Sequence, residues 1–490
     1  MANFLVGAAA VVLTFGAGHA ILVFMKARRD IWRLDVVSWA LYDFANTIYS
    51  MNILSLYFAG WLVVDLGYQD ISYSLAFSLS MLASAVLMPA LGYLSDRPAA
   101  PRSAKRLSYG RINQRRLTFL FVFTAGAVGS VAIFAVLPLS MMPLILLLFA
   151  LSNFFYEGGI VFYNALLDTV SNKENVGKVS GFGVSLGYLG SIAGMVLVLP
   201  FVTGGIFGLD VPFIAGSGKS GAFLPTAVFY ALFAVPIFLF VREKIEKGIP
   251  DSVQSGQVVA DSKPSLKNAY RDVWRSLKAT EKYPGLLRFL ISDYFFEDAI
   301  ATVILFMAIY IEKVLGMGDQ ARTLFLIIST VFAMIGAYIL GHLADLLSPK
   351  KVLFGIVLGW ILVLLGFALN NSEAAVWVFG PVVGIMLGGV WAVSRPLLMQ
   401  LSPPEKLGEF FGLFSLSGRA AAIAGPLVWG AAVYLFDKQH VIGRSLVDLW
   451  NLSDTAADKL PYRVAVLSLA IMMSVGLFIF RKVPDRKDMV

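Results

Sequence analysis

Stretches of about twenty apolar residues recur along the chain, separated by short polar connections that hold most of its charges. Each stretch is long enough to cross a hydrocarbon core of about 30 Å as a helix. The pattern predicts core spans at 36–64, 72–95, 117–137, 140–167, 179–202, 222–241, 285–311, 321–346, 351–370, 374–399, 408–436 and 463–480, with an additional apolar segment at 4–25. The fold class is therefore an all-α polytopic membrane protein: twelve core helices and one extra N-terminal transmembrane helix. Four parts follow: 1–30 with the extra helix, a six-helix bundle at 31–241, a cytoplasmic linker at 242–284, and a second six-helix bundle at 285–490.

Composition narrows the classes. Of 490 residues, 58% are hydrophobic and 14% charged, whereas soluble domains carry about 25% charged residues. The absence of cysteine excludes disulfides, thiolate zinc sites and cysteine nucleophiles. Three dispersed histidines offer no metal centre, and no Walker loop is present, so an enzyme or an ATP-driven pump is not expected, nor is any cofactor. The net charge of +8 invites a nucleic-acid reading, but its placement is topological. Thirty of the 39 Lys and Arg residues lie on the connections 26–35, 96–116, 171–178, 242–288, 347–351 and 400–407 and the tail 481–490. By the positive-inside bias that side is cytoplasmic, with the N-terminus outside and the C-terminus cytoplasmic. Membrane lipids are thus the expected partners of the basic surface, and nucleic acid is not. Within 242–284, Leu266, Tyr270, Val273, Trp274 and Leu277 recur at helical spacing among Lys267, Arg271, Arg275 and Lys278, as in an interfacial amphipathic helix.

The halves repeat. Residues 164–194 align without gaps to 395–425, pairing Gly177 with Gly408, Gly187 with Gly418 and Gly194 with Gly425. "LGYLSD" at 91–96 matches "LGHLAD" at 340–345, and "YDFAN" at 42–46 is set against "YFFED" at 294–298. Parallel repeats of six helices enclose a central pathway in transporters that rock one half against the other. Glycines four apart, at Gly183 and Gly187, Gly190 and Gly194, and Gly380, Gly384 and Gly388, allow helices to pack backbone to backbone.

Polar residues inside the spans carry the candidate chemistry. Each ionised group at mid-span costs roughly 2.5–3.5 kcal/mol on insertion scales, so it needs a partner or a wet cavity. Asp43 and Asn46 share a helix face, as do Glu157 and Asn164. Asp293 and Glu297 are one turn apart, with Asp298 beside them. Arg395 and Arg419 supply the cations. This set suits a substrate or proton pathway, with acids for an amine and an arginine for a carboxylate. A second set, Gly92, Asp96 and Arg97 in "GYLSDR" with Gly341 and Asp345 in its repeat, fits the G-x-x-x-D-R pattern of the major facilitator superfamily. There an aspartate caps a neighbouring helix and latches one conformational state. Leu346 stands where the second copy would have its Arg, so that copy is expected to be the weaker latch.

"WALYDFANTIYS" at 39–50, "VFYNALLD" at 161–168, "GKVSGFGVSLGYLG" at 177–190 and "PPEKLGEFFGLFSLSGRAAAIAGP" at 403–426 resemble the "unknown major facilitator" family, over roughly residues 30–480. That group includes the yeast autophagy-related vacuolar amino-acid effluxer. The resemblance implies the major facilitator fold and efflux of amino acids, with leucine and other neutral amino acids as the default cargo. Two departures stand out. The segment 4–25 lies outside the usual core. In span seven, "YFFEDAIAT", Glu297 and Ala299 replace the Asn and Gly of an Asn-Asp-Gly-like turn, and the added acid favours a cationic substrate or proton coupling. The expectation is a secondary or facilitative transporter of a small polar solute in a bacterial inner membrane, working by alternating access. The alternatives are a non-transporting scaffold or sensor, and an exporter of amphipathic drugs or lipids.

Overall fold

The structure is a computed structural model that describes residues 31–68, 70–96, 115–206, 209–210, 216–243, 283, 285–317, 319–370 and 372–485. The expected helix at 4–25, the linker helix at 266–277 and Arg97 lie outside the described residues.

Twelve long helical runs follow the apolar pattern. The first half holds α1 (Leu34–Tyr49), α2 (Asp70–Asp96), α3 (Arg115–Val136), α4 (Met142–Ala165), α5 (Val176–Thr203) and α6 (Phe223–Phe240). The second holds α7 (Leu286–Leu315), α8 (Asp319–Leu346), α9 (Pro349–Leu369), α10 (Glu373–Leu401), α11 (Leu407–Leu435) and α12 (Asp454–Phe480). Among the described residues, ten helices are long and apolar enough to cross a membrane, and α7, bent by 52° near Met307, adds an eleventh. The first span differs from a plain helix. Beyond Tyr49 it continues as two π-helical stretches, Ser50–Tyr57 and Trp61–Asp65, joined by Phe58–Gly60. Its far end is held by Lys219, which reaches both Asp65 and the Gly60 carbonyl.

The halves use the same packing. α1 lies against α5 and α6 as α7 lies against α11 and α12; α2 lies against α4 as α8 lies against α10. Between halves, α2 packs on α11 and α5 on α8. The glycine contacts also correct the alignment of α1 with α7. A Cβ on Gly194 would meet Ile48 and Asn52, whereas one on its repeat mate Gly425 would meet Asp298 and Thr302. Ile48 is thus the counterpart of Asp298, and Asp43 is the counterpart of Asp293. The match of "YDFAN" to "YFFED" is two residues out of register, because it aligned an aromatic-acid motif instead of the faces that pack on the glycines.

Three features lie outside the apolar pattern. α12 begins at Asp454, nine residues before the expected apolar boundary, with Ser453 accepting from the Ala456 N–H at its start. A short amphipathic helix, Val441–Trp450, joins α11 to α12 and exposes Val441, Leu449 and Trp450. α5 ends at Gly204, whose φ of 82° turns the chain into a two-residue hairpin, Gly205–Ile206 with Leu209–Asp210.

Candidate functional site

Two seams close the basic end of the molecule. At the end of α2, Asp96 accepts from the backbone N–H groups of Gly408 (3.0 Å) and Glu409 (2.8 Å), in the first turn of α11. Arg116 clamps the same carboxylate through Nε (3.0 Å) and Nη2 (2.8 Å), and also donates to the Pro404 carbonyl at 2.9 Å. At the end of α8, Asp345 accepts from the N–H groups of Gly177 and Lys178, both at 2.7 Å, in the first turn of α5. Each aspartate satisfies donors that a helix start leaves free, and its charge suits the positive end of the helix dipole. Glycine permits the approach. A methyl group on Gly92 would overlap the Gly408 carbonyl, and one on Gly341 would overlap the Gly177 carbonyl. The second latch therefore makes the same two backbone bonds as the first, and the first gains the guanidinium of Arg116 from α3. The difference between the copies was expected at Arg97 and Leu346; Arg97 lies outside the described residues, and the guanidinium seen on Asp96 is that of Arg116, twenty positions beyond the aspartate.

Above the seams lies a cavity of about 1100 Å³. Its apolar wall comes from α2, including Phe77, Met81, Leu82 and Val86; its polar wall is made by Glu157, Asn164, Asp293, Glu297, Arg395 and Arg419. Two ion pairs cross between the halves there. Arg395 of α10 meets Asp43 of α1 at 3.3 Å and stands over the Tyr163 ring, 5.6 Å from its centre. Arg419 of α11 pairs with Glu157 of α4, and its other guanidinium contacts are to the Ser415 and Glu157 carbonyls. Within the second half, Trp391 Nε1 donates to both oxygens of Glu297, at 3.0 and 3.3 Å. Asp293 is fully buried and neither of its oxygens accepts a hydrogen bond among the described residues.

The family described as Vacuole effluxer Atg22 like matches residues 168–440, more than half of the chain. The chain belongs to this family. The Major Facilitator Superfamily matches residues 8–195 of the same Atg22-like chain. An uncharacterized MFS-type transporter of Bacillus subtilis, YxiO, is 26% identical over 428 residues, covering 84% of this chain and 91% of YxiO. Autophagy-related protein 22 of Kluyveromyces lactis is 28% identical over 232 residues, 45% of this chain and 46% of that one. Among solved structures, FucP in the outward conformation superposes with a TM-score of 0.61 at 15% identity, over 91% of this chain and 97% of FucP. A bacterial homologue of the iron transporter ferroportin, in an outward-facing state, gives 0.59 at 12% identity, over 92% and 99%. At these identities the likeness shows the fold. The Atg22-like chain is thus a multi-pass major facilitator transporter and not an enzyme.

The structure redistributes the residues expected in this transporter's pathway. Glu157 lines the cavity and Asp43 is absent from its lining, and each is held by an arginine of the opposite half. Asn46 does not line the cavity: it turns toward α6, where Tyr230 donates to its Oδ1 at 2.9 Å. At i,i+3 the two side chains diverge enough for Asp43 to face α10 and Asn46 to face α6. Asp298 likewise faces α11, accepting from the Gly425 N–H at 2.7 Å, and is absent from the cavity lining. Glu297, Asp293, Asn164, Arg395 and Arg419 do line it. Sequence reasoning missed Tyr163 and Trp391, aromatic residues that hold Arg395 and Glu297; their only signal was proximity to Asn164 and Arg395 along their own helices.

Proposed function

We propose that this chain is an alternating-access effluxer of a small amine-bearing solute, with neutral amino acids as the substrate class, set in a bacterial inner membrane with its basic end cytoplasmic. The observation that carries the reading is the pair of ion bridges, Asp43–Arg395 and Glu157–Arg419, each joining the two halves beside one cavity. Charges exchanged between moving bodies are broken and remade when those bodies rock, so a zwitterion entering the cavity can substitute for either partner. The basic-end seams keep the cytoplasmic side shut in this conformer. Coupling to protons belongs to the same reading, through the carboxyls that line the cavity. A scaffold or sensor with a sealed, mutually paired core is disfavoured by the size of the cavity and by the unpaired Asp293.

The test is flux of radiolabelled leucine in proteoliposomes under an imposed pH gradient. Asp43→Asn and Glu157→Gln are expected to reduce flux at least tenfold and to alter its response to the gradient. Unchanged flux and unchanged pH response in both variants would refute the role given to the bridges.

A further inference from the structure

The pseudo-symmetry of the two halves is broken at the pair related to Asp43 and Arg395. Asp43 and Asp293 are counterparts on α1 and α7, by the contacts of Gly194 and Gly425. Arg395 on α10 and Asn164 on α4 are counterparts in the aligned repeat. Asp43 meets Arg395 at 3.3 Å, whereas the residue related to Arg395 in the first half is an amide, Asn164, which lines the same cavity as Asp293. Both residues line the cavity, and the two carboxylate oxygens of Asp293 and Oδ1 of Asn164 are buried with no hydrogen-bond partner among the described residues. A buried carboxylate with no donor is costly, and its natural complement is a donor that carries positive charge.

We infer that Asp293 and Asn164 form the receptor for the ammonium group of the transported solute, which occupies the place that Arg395 fills in the other half. Three N–H donors match in number the three unpartnered acceptors of the pair. The surrounding charges agree. The ionisable residues lining the cavity are Glu157 from α4, Asp293 and Glu297 from α7, Arg395 from α10 and Arg419 from α11. α12, which packs along α7, brings no charge to the lining. Both arginines are paired with Asp43 and Glu157, which leaves Glu297 and Asp293 as the lining carboxyls without a cationic partner among the described residues; Glu297 accepts from Trp391, and Asp293 accepts from no donor there. Recognition thus centres on the amine, and the solute's carboxylate is secondary.

This inference rests on the transport reading above, and the experiment separates the two. Binding of leucine, leucinamide and N-acetyl-leucine to the purified protein is measured by calorimetry, in wild type, Asp293→Asn and Asn164→Arg. Leucine and leucinamide are expected to bind within a few-fold of each other, and N-acetyl-leucine at least tenfold more weakly. Asp293→Asn is expected to lose amine binding at least tenfold. Asn164→Arg restores the arrangement of the first half and is expected to exclude the amine by self-pairing, which decides the matter should Asp293→Asn fail to fold. N-acetyl-leucine binding as well as leucine, or undiminished amine binding in the folded variants, overturns the inference and leaves the transport reading standing. A wild type that binds none of the three overturns the substrate class itself.

Discussion

Gly92→Ala puts the closure of the basic end to a direct test. The added methyl carbon would lie 2.7 Å from the carbonyl carbon of Gly408, where ordinary contact begins at 3.4 Å. Backbone on both sides leaves nothing to rotate away, and the Gly408 carbonyl oxygen lies closer still, so α2 and α11 must part by more than about 0.7 Å at this level. That motion stretches the Asp96 bonds to Gly408 and Glu409, now 3.0 and 2.8 Å, to the edge of hydrogen bonding or past it. Hydrogen bonds to a charged group contribute about 1.5–3 kcal/mol each. Loss of both would favour the basic-end-open state by about 3 kcal/mol or more, a shift on the order of 100-fold in population. The assay uses the absence of native cysteine. Ser95, buried in the seam, is replaced by Cys and its rate of maleimide labelling is followed in membranes. Gly92→Ala in that background is expected to raise the rate at least tenfold while the protein remains monodisperse in detergent. An unchanged rate would refute the reasoning, because it would mean that the seam absorbs a methyl group without opening.

Two further outcomes follow from the geometry. Glu157→Gln leaves the Arg419 guanidinium buried without its counter-charge and is expected to destabilise the protein by about 3–5 kcal/mol; the double variant Glu157→Gln, Arg419→Gln should recover most of the melting temperature yet remain inactive in flux. Glu243, just beyond α6, accepts from the Leu117 N–H at 2.9 Å, and burial pushes its carboxyl above the ordinary 4.5. A raised acid means that the folded state holds the proton more tightly, so this residue's contribution to stability falls as pH rises through the window above 4.5. Glu243→Gln should therefore melt higher than wild type at pH 7, by about 2 °C, and the gap should close toward pH 4; a gap that widens on acidification would contradict this.

The spans and the repeat were legible because lipid imposes a simple rule on long apolar runs, and because Gly92, Gly177, Gly341 and Gly408 sit where no side chain fits. The contact of Asp96 with a helix start was legible for the same reason: such a start is a partner that any sequence of this pattern supplies. The arginine partners of Asp43 and Glu157 were not. Each lies more than 260 positions away, and spacing along one helix says which face a residue takes but not which helix covers that face. Asn46 shows the limit most plainly: the face it shares with Asp43 is wide enough to touch α10 on one side and α6 on the other. The π-helical run after Tyr49 left no apolar signature, since it alters the backbone turn and not the burial pattern.

The two aspartate seams also bear on the rate of turnover. They lie on opposite sides of the pseudo-symmetry axis, and each ties a helix of one half to the start of a helix in the other. Releasing one leaves the second in place as a pivot, so neither alone lets the basic end gape. Both must let go within a single passage, which makes the opening a concerted crossing with one barrier whose height is the sum of two small locks. Such a transporter is tuned by adjusting either lock, because each adds to the same barrier.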